Sequence, residues 1–216
     1  MDFLKALDKI VLHYQQDLPF ALFSMADSDK VQVYLQKNDS LYVAESLSEE
    51  GMIIAPFDSR LPIFEIPASD SEVFETQLIP VEINKEKVGV QEEKDAQKEH
   101  EKLVDKTIEV IKGGASKKIV ISRKKDFSLV NFDVKELILR LLSAQPAAYR
   151  YVWFHPETGI WCGATPEVLV NVKKNHFKTM ALAGTQPFKE GVVSWRKKEL
   201  DRRRACRTRA AGSPAG

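Results

Sequence analysis

The sequence predicts an α+β fold, because helical and strand patterns occupy separate stretches and the strands follow one another as antiparallel neighbours. Short runs rich in β-branched and aromatic residues, divided by turn residues, fill residues 20–67. Two hairpin patterns fill residues 148–182, and segments with helical spacing lie outside both stretches. These features together predict an antiparallel β-sheet layered with helices.

The N-terminal part of the chain predicts one helix followed by an antiparallel meander. Leu4, Leu7, Ile10, Val11 and Tyr14 recur at intervals of three and four, which predicts a helix over residues 3–17, and Pro19 stops it. Strands are predicted over residues 20–24, 31–35, 41–44, 51–57 and 63–66. The mixed, acidic residues 68–90 predict a loop or a weak edge element.

The middle of the chain predicts two helices with a strand between them. A helix over residues 91–112 should end at Gly113 and Gly114. Its apolar face is predicted to comprise Leu103, Val104, Ile108 and Ile111. Residues 117–123, which read KKIVISR, predict a strand. Residues 134–143 predict a helix, and its apolar residues include Leu137, Leu139, Leu141 and Leu142.

Two hairpins are predicted next. In the first, residues 149–155 and 159–162 flank a turn in which Gly159 takes a positive φ angle. In the second, residues 168–172 and 177–182 flank a three-residue turn.

Charge and cysteine content exclude several classes of protein. The chain has 32 Lys and Arg against 31 Asp and Glu, so no net field attracts nucleic acid or an anionic membrane. No segment is apolar over the ~20 residues that span a bilayer, and the N-terminus does not resemble a signal peptide. Cys162 and Cys206 form no CxxC pair. These features predict a cytoplasmic protein with no nucleic-acid or membrane partner. We also expect a monomer.

Common catalytic and binding motifs are missing from the sequence. It contains no GxGxxG, GxxxxGK[ST], HExxH or GxSxG segment. The four histidines at positions 13, 100, 155 and 176 lack metal-ligand spacing and are interpreted as packing or surface residues.

Four short segments resemble landmarks of one enzyme family. Residues 54–57 read IAPF, residues 118–123 read KIVISR, residues 163–167 read GATPE and residues 183–185 read AGT. In this order they resemble the chorismate-binding family of isochorismate, salicylate, anthranilate and aminodeoxychorismate synthases. The resemblance implies chorismate as a small-molecule substrate. It also implies an anthranilate synthase component I-like fold, with antiparallel sheet and helices around a buried active site.

The resemblance also implies residue roles. Lys118 matches the lysine that, in isochorismate synthases, is the general base for attack of water on C2 of chorismate. Glu167 matches the general acid that protonates the departing C4 hydroxyl. Ala183, Gly184 and Thr185 match a segment that helps to hold the substrate. An acid and a base on opposite faces of the ring suit this reaction, because water is a poor nucleophile and hydroxide a poor leaving group.

Each of these segments also has a purely structural interpretation. Lys118 is equally consistent with a solvated side chain at the start of a strand. Thr165, Pro166 and Glu167 suit the first turn of a helix, with a cap, a proline and an acid facing the dipole. Residues 183–185 are consistent with a simple turn.

Two positions distinguish the branches of the family. Anthranilate synthases usually carry glutamine at the position of Lys118, and aminodeoxychorismate synthases usually carry lysine at the position of Ala183. The pair found here implies water as the nucleophile, as in isochorismate or salicylate synthases. Residues 180–185 resemble isochorismate synthases more closely, which implies a role in menaquinone or siderophore synthesis.

The C-terminal residues depart from the family pattern. The resemblance implies Mg²⁺ held by glutamates, one of them near position 202, where this chain has Arg202, which cannot ligate the ion. We interpret residues 1–200 as the N-terminal portion of one chorismate-binding domain and residues 201–216 as a non-native or frameshifted tail. We therefore expect little or no activity from this chain. As an alternative, its basic tail could make it a non-catalytic protein that binds an acidic partner.

Overall fold

A computed structural model describes residues 2–46, 48–79, 82, 95–129, 131–180, 195, 197 and 200. The chain forms two compact units. The large unit comprises Met1–Ile83 and Val134–Gly216, and the small unit comprises Asn84–Asp133. No helix in the described ranges is long and apolar enough to cross a membrane.

The first helix confirms the predicted amphipathic segment. Helix α1 (Phe3–Gln15) buries Phe3, Ala6, Leu7 and Ile10 along one stripe. The spacing placed Leu4 on the same face. Leu4 is 51% exposed, because the buried face of the helix includes Phe3 in its place. The helix ends before Asp17, whose φ angle of 53° is incompatible with a further turn.

The strands of the large unit largely follow the predicted positions. They are β1 (Phe20–Ser24), β2 (Lys30–Gln36), β3 (Tyr42–Val43), β4 (Gly51–Ile54), β5 (Phe64–Pro67), β6 (Ser71–Gln77), β7 (Tyr149–His155), β8 (Gly159–Thr165), β9 (Asn171–Lys173) and β10 (His176–Lys178). The second hairpin, β9 and β10, is shorter than predicted, and residues 181 and 182 of its predicted second strand lie outside the described ranges.

A five-stranded antiparallel sheet in the order β6-β2-β1-β7-β8 is the centre of the large unit. The predicted antiparallel meander holds for β1 and β2 only, since β2 pairs next with β6, and β3, β5 and β4 form a separate three-stranded sheet. Residues 68–90 were predicted as a loop or weak edge element. They contain the seven-residue strand β6, which pairs with β2 at the sheet edge.

Alternate side chains of the central sheet fill two separate cores. Phe20, Leu22 and Val152 face α1 and helix α3 (Val134–Ala144), where Ile138 and Leu142 are fully buried. On the other face, Ala21, Tyr34 and Trp153 pack against Ile66 and other residues of the three-stranded sheet. The central sheet is thus layered between helices and a second sheet, as the predicted α+β class requires.

The small unit confirms one prediction and contradicts another. Helix α2 (Ala96–Lys112) ends at Gly113 as predicted, although none of its side chains is buried. Residues 117–123 do not form the predicted strand. The reason is that a strand requires a second strand to pair with, and among the described residues no strand pairs with this segment. Val120, at its centre, is 81% exposed.

Candidate functional site

The GATPE segment ends the best-defined hairpin of the large unit. Strands β7 and β8 pair from His155 with Gly159 to Tyr149 with Thr165. As predicted, Gly159 has a positive φ angle, 75°. The turn is fastened by Trp153, whose Nε1 donates to Thr158 Oγ1 at 3.2 Å. This hairpin holds GATPE at the open end of an outer strand of the sheet.

A glycine inside the GATPE segment lies against an aromatic ring. Gly163 is directly opposite Tyr151, and a Cβ atom on Gly163 would lie 3.0 Å from Cε1 of that ring. Tyr151 stacks in turn on Tyr149, with ring centroids 6.1 Å apart. Burial raises the pKa of Tyr149 to about 12, and nearby Tyr151 and Tyr34 contribute to this rise, so its hydroxyl is neutral at physiological pH.

Glu167 follows the strand in an irregular turn. Its backbone N–H donates to Thr165 Oγ1 at 3.2 Å, so the threonine caps the segment as its hydroxyl chemistry allows. The interpretation of these residues as the start of a helix is wrong, because residues 166–170 are irregular and β9 begins at Asn171. The Glu167 residue is exposed.

Lys118 lies in the small unit. It is exposed, its N–H donates to Ser116 Oγ at 3.3 Å, and the Ser116 hydroxyl donates to its carbonyl oxygen at 3.0 Å. Because Lys118 and Glu167 belong to different units, their pairing across a substrate remains a prediction. The other predicted substrate residues, Ala183, Gly184 and Thr185, lie outside the described residues.

Two cavities accompany these segments without including either catalytic candidate. A cavity of about 290 Å³ in the small unit is lined by Asp95, Ala96, Glu99, His100, Leu103, Arg123 and Lys124. A cavity of about 360 Å³ in the large unit is lined by Gln16, Asp17, Leu18, Asn38, Asp39, Pro156 and Glu157. The second lies at the turn end of the β7–β8 hairpin, the end opposite GATPE.

The described residues do not supply a magnesium site. Within the ranges that the structure describes, no three His, Cys, Asp or Glu side chains are grouped so that they could hold a metal ion. Position 202, where the family resemblance implies a metal-ligating glutamate, lies outside those ranges. Mg²⁺ therefore remains a prediction from the resemblance alone.

Sequence reasoning missed a buried arginine beside the hairpin. Arg150 on β7 is 1% exposed, and its guanidinium donates to Ser24 Oγ and to the carbonyl oxygens of Met25, Ser28 and Leu142. The signal was present, since a lone arginine within the apolar run 149–155 must find buried acceptors.

Comparison with known proteins yields one match. A family model described as "Chorismate binding enzyme" matches residues 29–194, a range that contains Lys118, the GATPE segment and residues 183–185. No curated protein and no solved structure matches the chain.

Proposed function

The chain belongs to the family of chorismate-binding enzymes, and from this premise we propose that it is an isochorismate synthase. The observation that carries the proposal is the identity of one residue, Lys118. A lysine here favours water as the nucleophile, whereas family members that use ammonia usually carry glutamine. Ala183 in place of a nucleophilic lysine supports the same choice.

The proposed reaction moves a hydroxyl group around the ring of chorismate. Lys118 accepts a proton from water while the water oxygen forms a bond to C2 of chorismate. Glu167 donates a proton to the C4 hydroxyl, which leaves as water while the ring double bonds shift. Both side chains are exposed in the described structure. Each must come within hydrogen-bond reach of the atom whose proton it moves, since proton transfer is efficient only between closely positioned groups.

The first experiment identifies the product. The chain is incubated in excess over chorismate with Mg²⁺ and ammonia, and the products are separated by chromatography. Isochorismate supports the proposal, and anthranilate as the sole product rejects it. Release of pyruvate together with salicylate would instead identify a salicylate synthase, the nearest alternative within the family.

Matched substitutions then test the two roles. Lys118→Ala and Glu167→Gln should each lower the rate of isochorismate formation by roughly 10²–10⁴-fold, the usual contribution of a general acid or base. Lys117→Ala and Glu157→Gln are the controls, because they remove the same charges at a neighbouring position and in the β7–β8 turn. Equal losses in a variant and its control would reject the assigned role.

A second candidate function follows from the C-terminal sequence. Arg202, Arg203, Arg204, Arg207 and Arg209 lie within the last 15 residues, which also contain Ala, Gly, Ser and Pro. Such a segment suits an acidic partner. If the chain forms no product from chorismate but binds a polyglutamate peptide, deletion of residues 202–216 should abolish that binding. Unchanged binding by the deletion variant would reject this candidate.

A further inference from the structure

Position 163 requires glycine because of the side chain packed against it, and not because of its backbone conformation. Gly163 is not among the described residues with positive φ angles, in contrast to Gly159. Instead, a Cβ atom would lie 3.0, 3.2 and 3.3 Å from Cε1, Oη and Cζ of Tyr151. These distances are shorter than ordinary van der Waals contacts. The ring therefore rests directly on the main chain of the GATPE segment.

The Tyr151 ring belongs to a row of aromatic side chains. It stacks on Tyr149 at an interplanar angle of 29°, and Tyr149 contacts Phe23 with centroids 5.7 Å apart. Phe23 stacks in turn on Tyr34, which is only 6% exposed. The four rings form a continuous row along one face of the central sheet. A displacement of the Tyr151 ring would therefore change its contact with Tyr149.

The same row adjoins the residues that hold Glu167. Thr165, the last residue of β8, is directly opposite Tyr149. Its Oγ1 accepts the N–H of Glu167 at 3.2 Å. Tyr151 and Tyr149 thus face Gly163 and Thr165, which lie four and two residues before the proposed acid. Only Ala164, Thr165 and Pro166 separate Gly163 from the proposed acid along the chain.

From this geometry we propose that Tyr151, by packing on Gly163, is a positioning residue for Glu167. The proposal rests on the proposed function, in which Glu167 is the general acid. Tyr151 takes no part in proton transfer in this account. Its ring fixes the position of β8. The position of β8 in turn sets where the residues after Thr165 place the carboxyl group of Glu167 relative to the substrate.

The primary test follows the backbone N–H of Glu167 by NMR in the full ¹⁵N-labelled chain. Tyr151→Leu removes the flat ring and should shift the Glu167 and Thr165 signals, whereas Tyr151→Phe keeps the ring and should leave them in place. Tyr14→Leu is the matched control, since Tyr14 contacts Phe154 on the other face of the sheet. It should reduce stability without moving the Glu167 signal.

A second variant tests the contact from the other side. Gly163→Ala should shift the same two signals, and Gly113→Ala, where a Cβ meets only ordinary contacts of 3.4 Å and beyond, should not. An unmoved Glu167 signal in both Tyr151→Leu and Gly163→Ala, or an equal shift in Tyr14→Leu, overturns the proposal. If Gly163→Ala fails to fold, the Tyr151 series alone decides.

Kinetics separate this proposal from the proposed function. Where isochorismate forms, Tyr151→Leu should lower kcat by on the order of tenfold with little change in KM, because a misplaced acid slows chemistry more than binding. Tyr151→Phe should restore kcat. If anthranilate is the sole product, the proposed function fails, while the NMR signals still decide whether Tyr151 positions Glu167.

Discussion

Arg150 and Ser24 are 126 positions apart in the chain, yet Nη2 of Arg150 donates to Ser24 Oγ at 2.6 Å. The same nitrogen donates to the carbonyl oxygens of Met25 and Ser28, and Nη1 donates to that of Leu142 near the end of α3. One buried guanidinium thereby joins β7, the loop after β1 and the C-terminal turn of a helix. The favourable end of the α3 dipole adds to these contacts.

Replacing Arg150 by methionine should destabilise the large unit. Burial lowers the pKa of the guanidinium, and the charge of Asp27 acts in the opposite direction. Its loss leaves several buried oxygens without a donor, which should cost about 2–4 kcal/mol of unfolding free energy. Urea denaturation measures this loss.

Arg140→Met is the control for the loss of a cation. Arg140 forms an exposed ion pair with Glu136 one helical turn away, and such pairs contribute about 0.5 kcal/mol or less. Similar losses in Arg150→Met and Arg140→Met would show that the buried contacts contribute little.

Two leucines of α1 test which face of the helix is buried. Leu7 is fully buried, whereas Leu12 is 54% exposed. Leu7→Ala should cost about 2–5 kcal/mol, because it removes buried methyl groups and leaves a cavity. Leu12→Ala should cost less than about 0.5 kcal/mol. Urea denaturation of both variants decides, and a larger loss for Leu12→Ala would contradict the described packing.

Local patterns predicted the elements whose stability is local. The helix α1 and the β7–β8 hairpin were predicted because spacing of apolar residues and a turn glycine act within a few residues. The prediction of a strand over residues 117–123 was wrong, because β-branched residues favour a strand only where another strand can pair with them. The position of β7 beside β1 was also beyond prediction, since it joins segments far apart in the sequence.

The candidate site shows the same division. The GATPE motif identified Glu167 as a candidate without any coordinates, and the family match covers that motif. Predicting the contact between Tyr151 and Gly163 would have required the register of β7 on β8. A shift of that register by one residue would place Tyr151 on the opposite face of the sheet. Arg150 was missed for a similar reason, because its acceptors come from two distant segments.

The pH dependence of stability should reveal Tyr149. Burial raises its pKa to about 12 in the folded chain, against about 10 in the unfolded chain. Between these values the unfolded chain releases the phenolic proton and the folded chain retains it. The free energy of unfolding is therefore unaffected by Tyr149 ionisation below about pH 10. It falls as the pH rises toward about 12, by at most about 2 kcal/mol.

Denaturation below and above about pH 10 measures this loss, and Tyr149→Phe should reduce it. Phenylalanine keeps the ring in the row with Phe23 and Tyr151, so stability near neutral pH should change little. Burial also raises the pKa of Tyr34, so some alkaline loss should persist in the variant. An unchanged alkaline loss in Tyr149→Phe would contradict the assignment to this residue.

Gly159 tests the backbone of the hairpin turn separately from its packing. Its φ angle is 75°, and a Cβ atom there would meet nothing within 4 Å, so only backbone strain opposes a side chain. Gly159→Ala should therefore cost about 1 kcal/mol in urea denaturation. Gly159→Asn should cost less, because asparagine enters the left-handed region more readily. An asparagine variant less stable than the alanine variant would show that the turn rejects side chains for a reason other than φ.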